Sequence, residues 1–442
     1  MYPPFPPAMV ASVPNTEPII ALTPETAVAL ALKRNPDLAA AVALVEAARG
    51  QVAEARAALN PGLTVSGAVT GLDRRQTASI TLPEFPTFSF TTAPKDQSQF
   101  LVTADLPLDI TGQIRAGIRR AGIGHLAAER QEDAARNRIG SAVRDAYFTV
   151  LQAQELVRVA EETVANAEER ERTAESYVRA GTATRFETLR AATETANARQ
   201  SLLTAKNRVT LSLAALATTL GIPQTQSVTL AESMAEPGVL PAFEEALAEA
   251  ERRRPELLAA QESIRSAEVD RRLAAGSDDP TLGVGAQYQH SPRPGFGQAR
   301  DLTAVSLRLT IPILDRGIRR ARDVQAEARW VAARRSYDAV RDRVALEVRQ
   351  EWLARQEAEE RLKVATAAVT QAEEQYRLAR NRYRAGVNLR SDLSSPLLEI
   401  SDAQIALTQA RTNLVQSRYD VLRTQARLEG ALGRFSRPEV QP

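Results

Sequence analysis

A seven-residue repeat of apolar side chains constrains the fold of this chain more than any other feature. Valine recurs at this spacing with one break at Glu171, and a small residue stands three positions after each repeat position. The two series are Val143, Val150, Val157, Val164 and Val178, and Ala146, Ala153, Ala160, Ala167, Ala174 and Gly181. Such a repeat predicts a long helix that supercoils against its neighbours, and the small residues let helix backbones approach closely. Taken alone, the segment would also suit an isolated coiled-coil spacer.

The pattern returns in the second half of the chain, with Arg355 as its one interruption. Both long helices end in Arg-Ala-Gly, at Arg179, Ala180 and Gly181 and again at Arg384, Ala385 and Gly386. Each half therefore predicts a long helix, a tight turn and a return helix, as an internal duplication would produce. The second series consists of Val348, Leu362, Val369, Tyr376 and Tyr383, with the small residues Ala358, Ala365, Ala372, Ala379 and Gly386.

Alternation of apolar and polar residues predicts two strands in each half, every one with a single apolar face. The strands are expected at about 62–70, 98–107, 281–289 and 302–312, and the Pro-, Thr- and Phe-rich segment 71–97 is expected to be a long loop. Strands of about ten residues suit an outer-membrane bilayer. A soluble β-subdomain is the alternative. In lipid a sheet must close into a barrel. Four strands in one chain are too few to close a barrel alone, so they predict a barrel shared by several chains.

The domain organisation follows from this order of segments. It comprises a Pro-rich lead-in 1–21, a first repeat 22–222 with the helical hairpin 113–221, a linker 223–240, a second repeat 241–433 with the hairpin 317–433, and a tail 434–442.

Composition excludes several classes of function. The formal net charge of +2 does not favour nucleic acid, and the absence of cysteine excludes disulfides and thiolate metal sites. The two histidines, His125 and His290, are far apart in sequence. No nucleophile–base pairing, phosphate loop or metal spacing is found, so we expect no enzyme activity, no cofactor and no metal. The sequence contains no apolar run of about 18 residues, so it predicts no transmembrane helix.

The segment from Met1 to Pro18 lacks the basic and apolar regions of a secretory signal. Three explanations are open: the signal was removed, the start was misassigned, or the protein is cytosolic.

From about Leu22 to Gly433 the chain resembles the TolC-like outer membrane efflux proteins. The resemblance rests on the order of segments, the two Arg-Ala-Gly turns, the two Leu-Gly endings and the residues Glu187, Leu189 and Ala191 after the first turn. It also rests on two early motifs, Asn35-Pro36-Asp37-Leu38 and Arg254-Pro255-Glu256-Leu257.

The resemblance implies an α + β membrane protein with a long α-helical coiled-coil barrel and a transmembrane β-barrel of four strands per chain, 12 in a homotrimer. It implies a passive exit duct of a tripartite efflux or type I secretion system, placed in the cell outer membrane and extending into the periplasm. The implied partners are a periplasmic adaptor (membrane fusion) protein, an inner-membrane transporter and outer membrane lipid.

The helical tips are expected to meet the adaptor through Arg179, Ala180, Gly181, Arg384, Ala385, Gly386 and Arg390. A periplasmic gate is expected at Glu187, Asp392, Glu399 and Asp402, acids that would ring the opening. Acids in the first turn of a helix are also ordinary helix-start residues, which is the alternative.

The second turn departs from the family spacing. Removing Asn388 to Ser394 restores that spacing and places Glu399 opposite Glu187, so this turn carries about seven extra residues. A soluble coiled-coil structural or periplasmic adaptor protein remains the alternative function. An adaptor usually frames one hairpin with a lipoyl-like β-domain, for which the sequence shows no pattern.

Overall fold

The computed structural model describes residues 22–181, 184–224, 226, 228–231, 238–384 and 396–437, with only the backbone at 383–384 and 396–398. The predicted tip residues Ala385, Gly386 and Arg390 and the predicted gate residue Asp392 lie outside these ranges. So do the extra residues Asn388 to Ser394 and the Pro-rich lead-in 1–21.

Fourteen helices and strands follow one another along the described chain. The first half contains α1 (Pro24–Arg34), α2 (Pro36–Ala57), β1 (Gly62–Gly71), β2 (Gln76–Ile80), β3 (Phe88–Ala93), β4 (Asp96–Leu108), α3 (Gln113–Arg179) and α4 (Arg185–Leu220). The second half contains α5 (Phe243–Arg253), α6 (Pro255–Ala275), β5 (Thr281–His290), β6 (Asp301–Thr310), α7 (Ile318–Arg384) and α8 (Pro396–Ala431). The long helices α3 and α7 each have 67 residues, and the return helices α4 and α8 each have 36.

The residue contacts define two compact units. A helical unit comprises Met1–Val42, Gln131–Glu256 and Arg341–Pro442, and a sheet unit comprises Ala43–Arg130 and Leu257–Val340. Among the described residues, no helix combines the length and apolar character needed to cross a membrane.

The predicted heptad seam is the core of the helical unit. Val143 and Val150 of α3 are fully buried and pack with Leu216 and Leu220 of α4. The small seam is buried as well, with Ala167 and Ala174 in α3 and Ala358, Ala365, Ala372 and Ala379 in α7. Small side chains at these positions let the helices pack closely, whereas Val157, Val164 and Val178 of the apolar repeat are only half-buried in the single chain.

The two early motifs mark joints where a short helix meets the end of a return helix. Asn35 Nδ2 donates to the Thr219 carbonyl at the end of α4 (2.9 Å), and Arg254 Nη1 lies 3.3 Å from the Ala431 carbonyl at the end of α8. Helix ends leave such carbonyls without intrahelical partners. Gly221 ends α4 at φ +72, and a Cβ there would lie 2.5 Å from the Arg34 carbonyl oxygen. Only glycine fits both requirements.

Buried Tyr147 anchors the chain segments that cross the hairpin. Its hydroxyl lies 2.8 Å from the Leu22 carbonyl oxygen and 2.7 Å from that of Ala231, and it donates its hydrogen between them. Burial, followed by the nearby Glu25 and Tyr419, raises the pKa of Tyr147 to about 12. The phenol therefore stays neutral and remains a donor throughout the physiological pH range.

The sheet unit contains one antiparallel sheet in the order β1-β4-β5-β6. Within the described residues of this single chain the sheet is open, with β1 and β6 at its edges. The four strands thus pair across the two halves of the sequence through β4 and β5.

The expectation of a long loop at 71–97 is wrong. This segment contains β2 and β3, which pair with each other as a separate two-stranded sheet. Phe90 of β3 stacks on Phe296 of the β5–β6 connection, with ring centroids 4.2 Å apart. The Phe296 N–H donates to the Thr91 carbonyl (2.9 Å), so the two connections hold each other in place.

Candidate functional site

The first candidate functional surface is the apolar face of the four-stranded sheet. Pairing places Val65 opposite Val102, Val102 opposite Tyr288, and Val284 opposite Leu307. These side chains share one face because two residues that pair on neighbouring strands point to the same side of the sheet. The face is exposed: Val65, Val69, Val305 and Leu307 are 67%, 84%, 75% and 70% exposed. A continuous exposed apolar face marks a surface that contacts lipid or protein.

The opposite face of the same sheet is mostly small or polar. Thr103 pairs with Gln287, and Ser306 pairs with Gly285. A shallow cavity of about 580 Å³ lies on this face and is lined by Asp105, Gly283, Gly285, Ser306 and Arg308 among others. The sheet therefore separates an apolar side from a hydrophilic side.

The described tip and gate residues lie at helix ends and in the first turn between the long helices. Arg179 is the last residue of α3, and Gly181 takes φ +74 in the turn that follows. Glu187 lies in the first turn of α4 and Glu399 in the first turn of α8. Asp402 is exposed one turn later.

Glu399 is held by an arginine that the sequence analysis did not select. Arg382 of α7 donates to Glu399 of α8 at 3.0 Å, and both side chains are about half exposed. This pair spans the second turn, and surface pairs of this kind contribute at most about 1 kcal/mol. It fixes the direction of the carboxylate more than it stabilises the fold.

A second connection near the tips was missed from sequence. Glu194 of α4 accepts hydrogen bonds from Ser401 Oγ of α8 (3.0 Å) and from Arg190 Nε (3.2 Å). Arg170 of α3 lies 3.9 Å from the other carboxylate oxygen. Glu194 follows Glu187 by one seven-residue step, and that spacing was the available signal. The contact joins the two hairpins to each other.

Further from the tips, ion pairs cross between the hairpins at several levels. Arg144 of α3 contacts Glu429 of α8 at 2.6 Å, while Arg423 and Arg427 of α8 contact Asp145 of α3 at 3.2 and 3.0 Å.

Glu351 of α7 lies beside this group of charges. Burial raises the pKa of Glu351; the carboxylates Glu347 and Asp145 raise it further, and Arg427 opposes them. No cluster of three or more acidic or histidine side chains suited to a metal occurs in the described part of the chain.

The exposed apolar face, the very long helical hairpins and their cross-connections define the class of outer-membrane channels. The family described as "Outer membrane efflux protein" matches residues 27–222 and 246–434, and the chain belongs to this family. It is accordingly a non-enzymatic channel of the outer membrane that extends into the periplasm and serves efflux.

Individual relatives are distant. The toluene efflux pump outer membrane protein TtgC of Pseudomonas putida is 25% identical over 411 residues, covering 91% of this chain and 81% of TtgC. The pyoverdine export outer membrane protein OpmQ of Pseudomonas putida is 24% identical and covers 91% of this chain and 84% of OpmQ. The structure of the outer membrane protein VceC from Vibrio cholerae has a TM-score of 0.73 at 20% identity, covering 93% of this chain and 96% of VceC. At that identity the likeness establishes the fold.

Proposed function

We propose that three copies of this chain form a passive exit duct through the outer membrane, coupled to an inner-membrane transporter by a periplasmic adaptor protein. The observation that carries the proposal is the open sheet with an exposed apolar face and its two edge strands, β1 and β6. Open edges cannot persist in lipid, so neighbouring copies must pair β6 with β1.

Strand direction and barrel size favour a trimer. With four antiparallel strands in this order, β6 runs opposite to β1, so a second copy continues the antiparallel pattern. Two copies would give a barrel of about eight strands, and the interior of a barrel of that size is filled by its own side chains. Three copies leave an aqueous lumen lined by the hydrophilic face, on which Gly283, Gly285 and Ser306 lie.

The apolar face also distinguishes this proposal from a soluble coiled-coil or adaptor protein. Such a protein would have to cover Val65, Val305 and Leu307 with another part of its own chain. In the described residues these side chains stay exposed. Lipid covers them in the proposed duct, and outer membrane lipid is therefore one of its partners.

The test of assembly uses pairs of introduced cysteines. Since the native chain has no cysteine, every disulfide that forms must join introduced residues. One set of variants places a cysteine on the hydrophilic face of β1, at or near Thr64, and a second cysteine on the same face of β6, at or near Ser306. These pairs are expected to give disulfide-linked ladders that stop at three chains. A matched set that pairs Val65 with Ser306 places the thiols on opposite faces and is expected to stay uncross-linked. Ladders of two chains only, or equal cross-linking of both sets, would contradict the trimer.

The domain division 22–222 and 241–433, with linker 223–240 and tail 434–442, is proposed as an internal duplication. Two matched features support it: the equal lengths of α3 and α7 and the two joints at Asn35 and Arg254. Each half would contribute one strand pair and one hairpin to the duct.

We place the adaptor contact at the tips, with Arg179, Ala180, Gly181, Arg384, Ala385, Gly386 and Arg390. Exposure of Arg179 at the first tip supports this. Deleting Asn388 to Ser394 is expected to leave the trimer intact and to alter adaptor pairing. Loss of the trimer would show that this segment serves assembly instead.

We place the periplasmic gate at Glu187, Asp392, Glu399 and Asp402. In three copies these acids would ring the opening and bind multivalent cations. The double variant Glu187→Gln with Glu399→Gln is expected to raise single-channel conductance and weaken block by multivalent cations.

The Arg382–Glu399 pair supplies a control for the gate. Arg382→Gln breaks the same pair but keeps the carboxylate, so cation block is expected to strengthen rather than weaken. Unchanged block in both variants would leave these acids as helix-start residues.

A further inference from the structure

Exposed apolar side chains surround the two joints at which a strand of the sheet unit passes into a long helix. Ile313 and Leu314, between β6 and α7, are 95% and 86% exposed, and Ile110, between β4 and α3, is 53% exposed. Ile311 directly follows β6 and is exposed as well. We call these four residues the apolar collar. Since it begins where the exposed apolar face of the sheet ends, the collar extends that face toward the helices.

Arginines follow the apolar collar at both joints. Residues 316–322 contain four arginines and no acidic residue. Arg320 and Arg322 are exposed within the first five residues of α7, and Arg119 is exposed within the first seven of α3. In the described part of the chain none of these three forms an ion pair, whereas Arg319 contacts Asp278 at 3.1 Å. We call Arg119, Arg320 and Arg322 the arginine collar.

The direction of the helices turns the arginine collar toward the membrane of the proposed duct. Both α3 and α7 begin at the sheet, and the side chains of an α-helix lean toward its N-terminus. An apolar band of about 25 Å corresponds to about ten residues of a tilted strand, so in the barrel it ends close to Ile311. Long arginine side chains just beyond that level reach back to the lipid headgroups.

A neighbouring copy would not supply the missing negative charge. If β6 pairs with β1 of another copy, the connection that precedes β1 comes close to the collars. Residues 55–61, which form this connection and the end of α2, contain Arg56 and no acidic residue. Phosphate is the complementary group, because arginine binds it through charge-assisted, paired hydrogen bonds. Charge complementarity therefore favours lipid over a second copy.

We propose that the two collars bind phospholipids with a net negative headgroup charge in the periplasmic leaflet. The arginine collar binds the headgroup, and the apolar collar contacts the upper part of the acyl chains. This inference rests on the proposed duct, which places the joints at the membrane surface. Bound lipid would fix the depth of the barrel in the bilayer.

The test is native mass spectrometry of the full-length protein in detergent with either dioleoyl-phosphatidylglycerol or dioleoyl-phosphatidylcholine. The two lipids have the same acyl chains, but only phosphatidylglycerol carries a net negative charge. The wild type is expected to bind phosphatidylglycerol more tightly. Arg320→Gln with Arg322→Gln is expected to weaken that binding about five- to thirtyfold, since each arginine near an anionic lipid surface contributes about fivefold. Binding of phosphatidylcholine should not change.

Two further variants separate position from charge. Arg343 lies three seven-residue steps after Arg322 on α7, and both Arg343 and Arg341 are exposed. Arg341→Gln with Arg343→Gln removes the same charge further from the sheet and is expected to keep the preference for phosphatidylglycerol. Arg320→Lys with Arg322→Lys retains the charge at the collar and is expected to keep most of the preference.

The same spectra count the chains in each assembly, so lipid binding is measured separately from assembly. Equal binding of the two lipids by a wild-type trimer, or an equal loss in the control variant, would overturn the lipid site and leave the duct intact. Loss of the trimer in Arg320→Gln with Arg322→Gln would overturn it as well, by showing that these arginines contact a neighbouring copy. A wild-type assembly of fewer than three chains would contradict the duct and the lipid site that rests on it.

Discussion

The depth of Leu307 in the sheet allows a sharp test of which face contacts lipid. Leu307 is the seventh of ten residues in β6. At about 3.4 Å per residue it lies about 20 Å from the start of the strand. For a strand tilted by about 40°, this is a depth of about 15 Å within an apolar band of about 25 Å. In the proposed barrel, Leu307 would therefore lie near the middle of the band.

The neighbouring residue provides a charge on the other face. Arg308 follows Leu307 directly and pairs with Gly283, so it points to the hydrophilic side. The double variant Leu307→Arg with Arg308→Leu exchanges the two side chains and leaves composition and net charge unchanged. Arginine on the lipid face near mid-bilayer costs about 2–4 kcal/mol, or roughly 6–12 kcal/mol for three copies.

The assay is folding into lipid vesicles followed by unfolding in urea, with the single variant Arg308→Leu as the reference. The exchanged variant is expected to fold with much lower yield and to unfold at lower urea concentration than this reference. Ser306→Arg, which adds a charge to the hydrophilic face of the same strand, is expected to fold normally and to change conductance. Equal folding of the exchanged variant and its reference would refute the assignment of the faces.

Three further predictions concern stability of the helical unit and its surroundings. Tyr147→Phe is expected to lower the free energy of unfolding by about 1–3 kcal/mol, because two buried carbonyls lose their donor. The difference between the two proteins should shrink at alkaline pH, because the phenol ionises more readily in the unfolded wild type than in the folded wild type, whose Tyr147 pKa is raised to about 12. Gly221→Ala is expected to cost more than about 1 kcal/mol, whereas Gly50→Ala, in an open helical position, should be neutral or stabilising in the same denaturant titration. Hydrogen bonds from Arg434 hold the pKa of Glu249 below its ordinary 4.5 against the effect of burial. The difference in unfolding midpoint between wild type and Glu249→Gln should therefore be present at neutral pH and disappear as the pH falls below that ordinary value.

The helices and the faces of the strands were predictable because each rests on a local period. The repeat through Val143 and Val150 identified the buried side of α3, and alternation around Leu307 identified the apolar side of β6. Local periods carry no information on which strands pair. The order β1-β4-β5-β6 joins strands far apart in sequence, and only the three-dimensional contacts define it.

The missed β2–β3 sheet shows how turn-forming residues conceal a short alternation. Phe88 and Phe90 alternate with polar residues, as a strand requires, but Pro83 and Pro86 precede them and favour a loop. Tertiary contact resolves the ambiguity, since Phe90 stacks on Phe296 from another part of the chain.

The residues of the candidate sites also differ in how far they could be predicted from the sequence. Glu399 was selected because an acid at a helix start is a local signal, but its partner Arg382 lies on the preceding helix. The Glu194–Ser401 connection joins residues from different halves, and neither residue has a local signature strong enough to predict the contact.

The joint at Arg254 shows how two different side chains come to perform one task, and it gives a final prediction. Asn35 and Arg254 each precede a proline and are extended, with ψ of 126° and 115°, as a following proline favours. Both then donate to carbonyls at the end of a return helix, but Arg254 also contacts Glu347 of α7 at 2.8 Å. Arg254→Asn should therefore keep much of the capping and lose the connection to α7, whereas Arg254→Ala should lose both. Because hydrogen bonds to charged groups contribute about 1.5–3 kcal/mol, the alanine variant is expected to lose at least that much free energy of unfolding and the asparagine variant clearly less. Equal losses would show that the cap contributes nothing and that the pair with Glu347 alone accounts for Arg254.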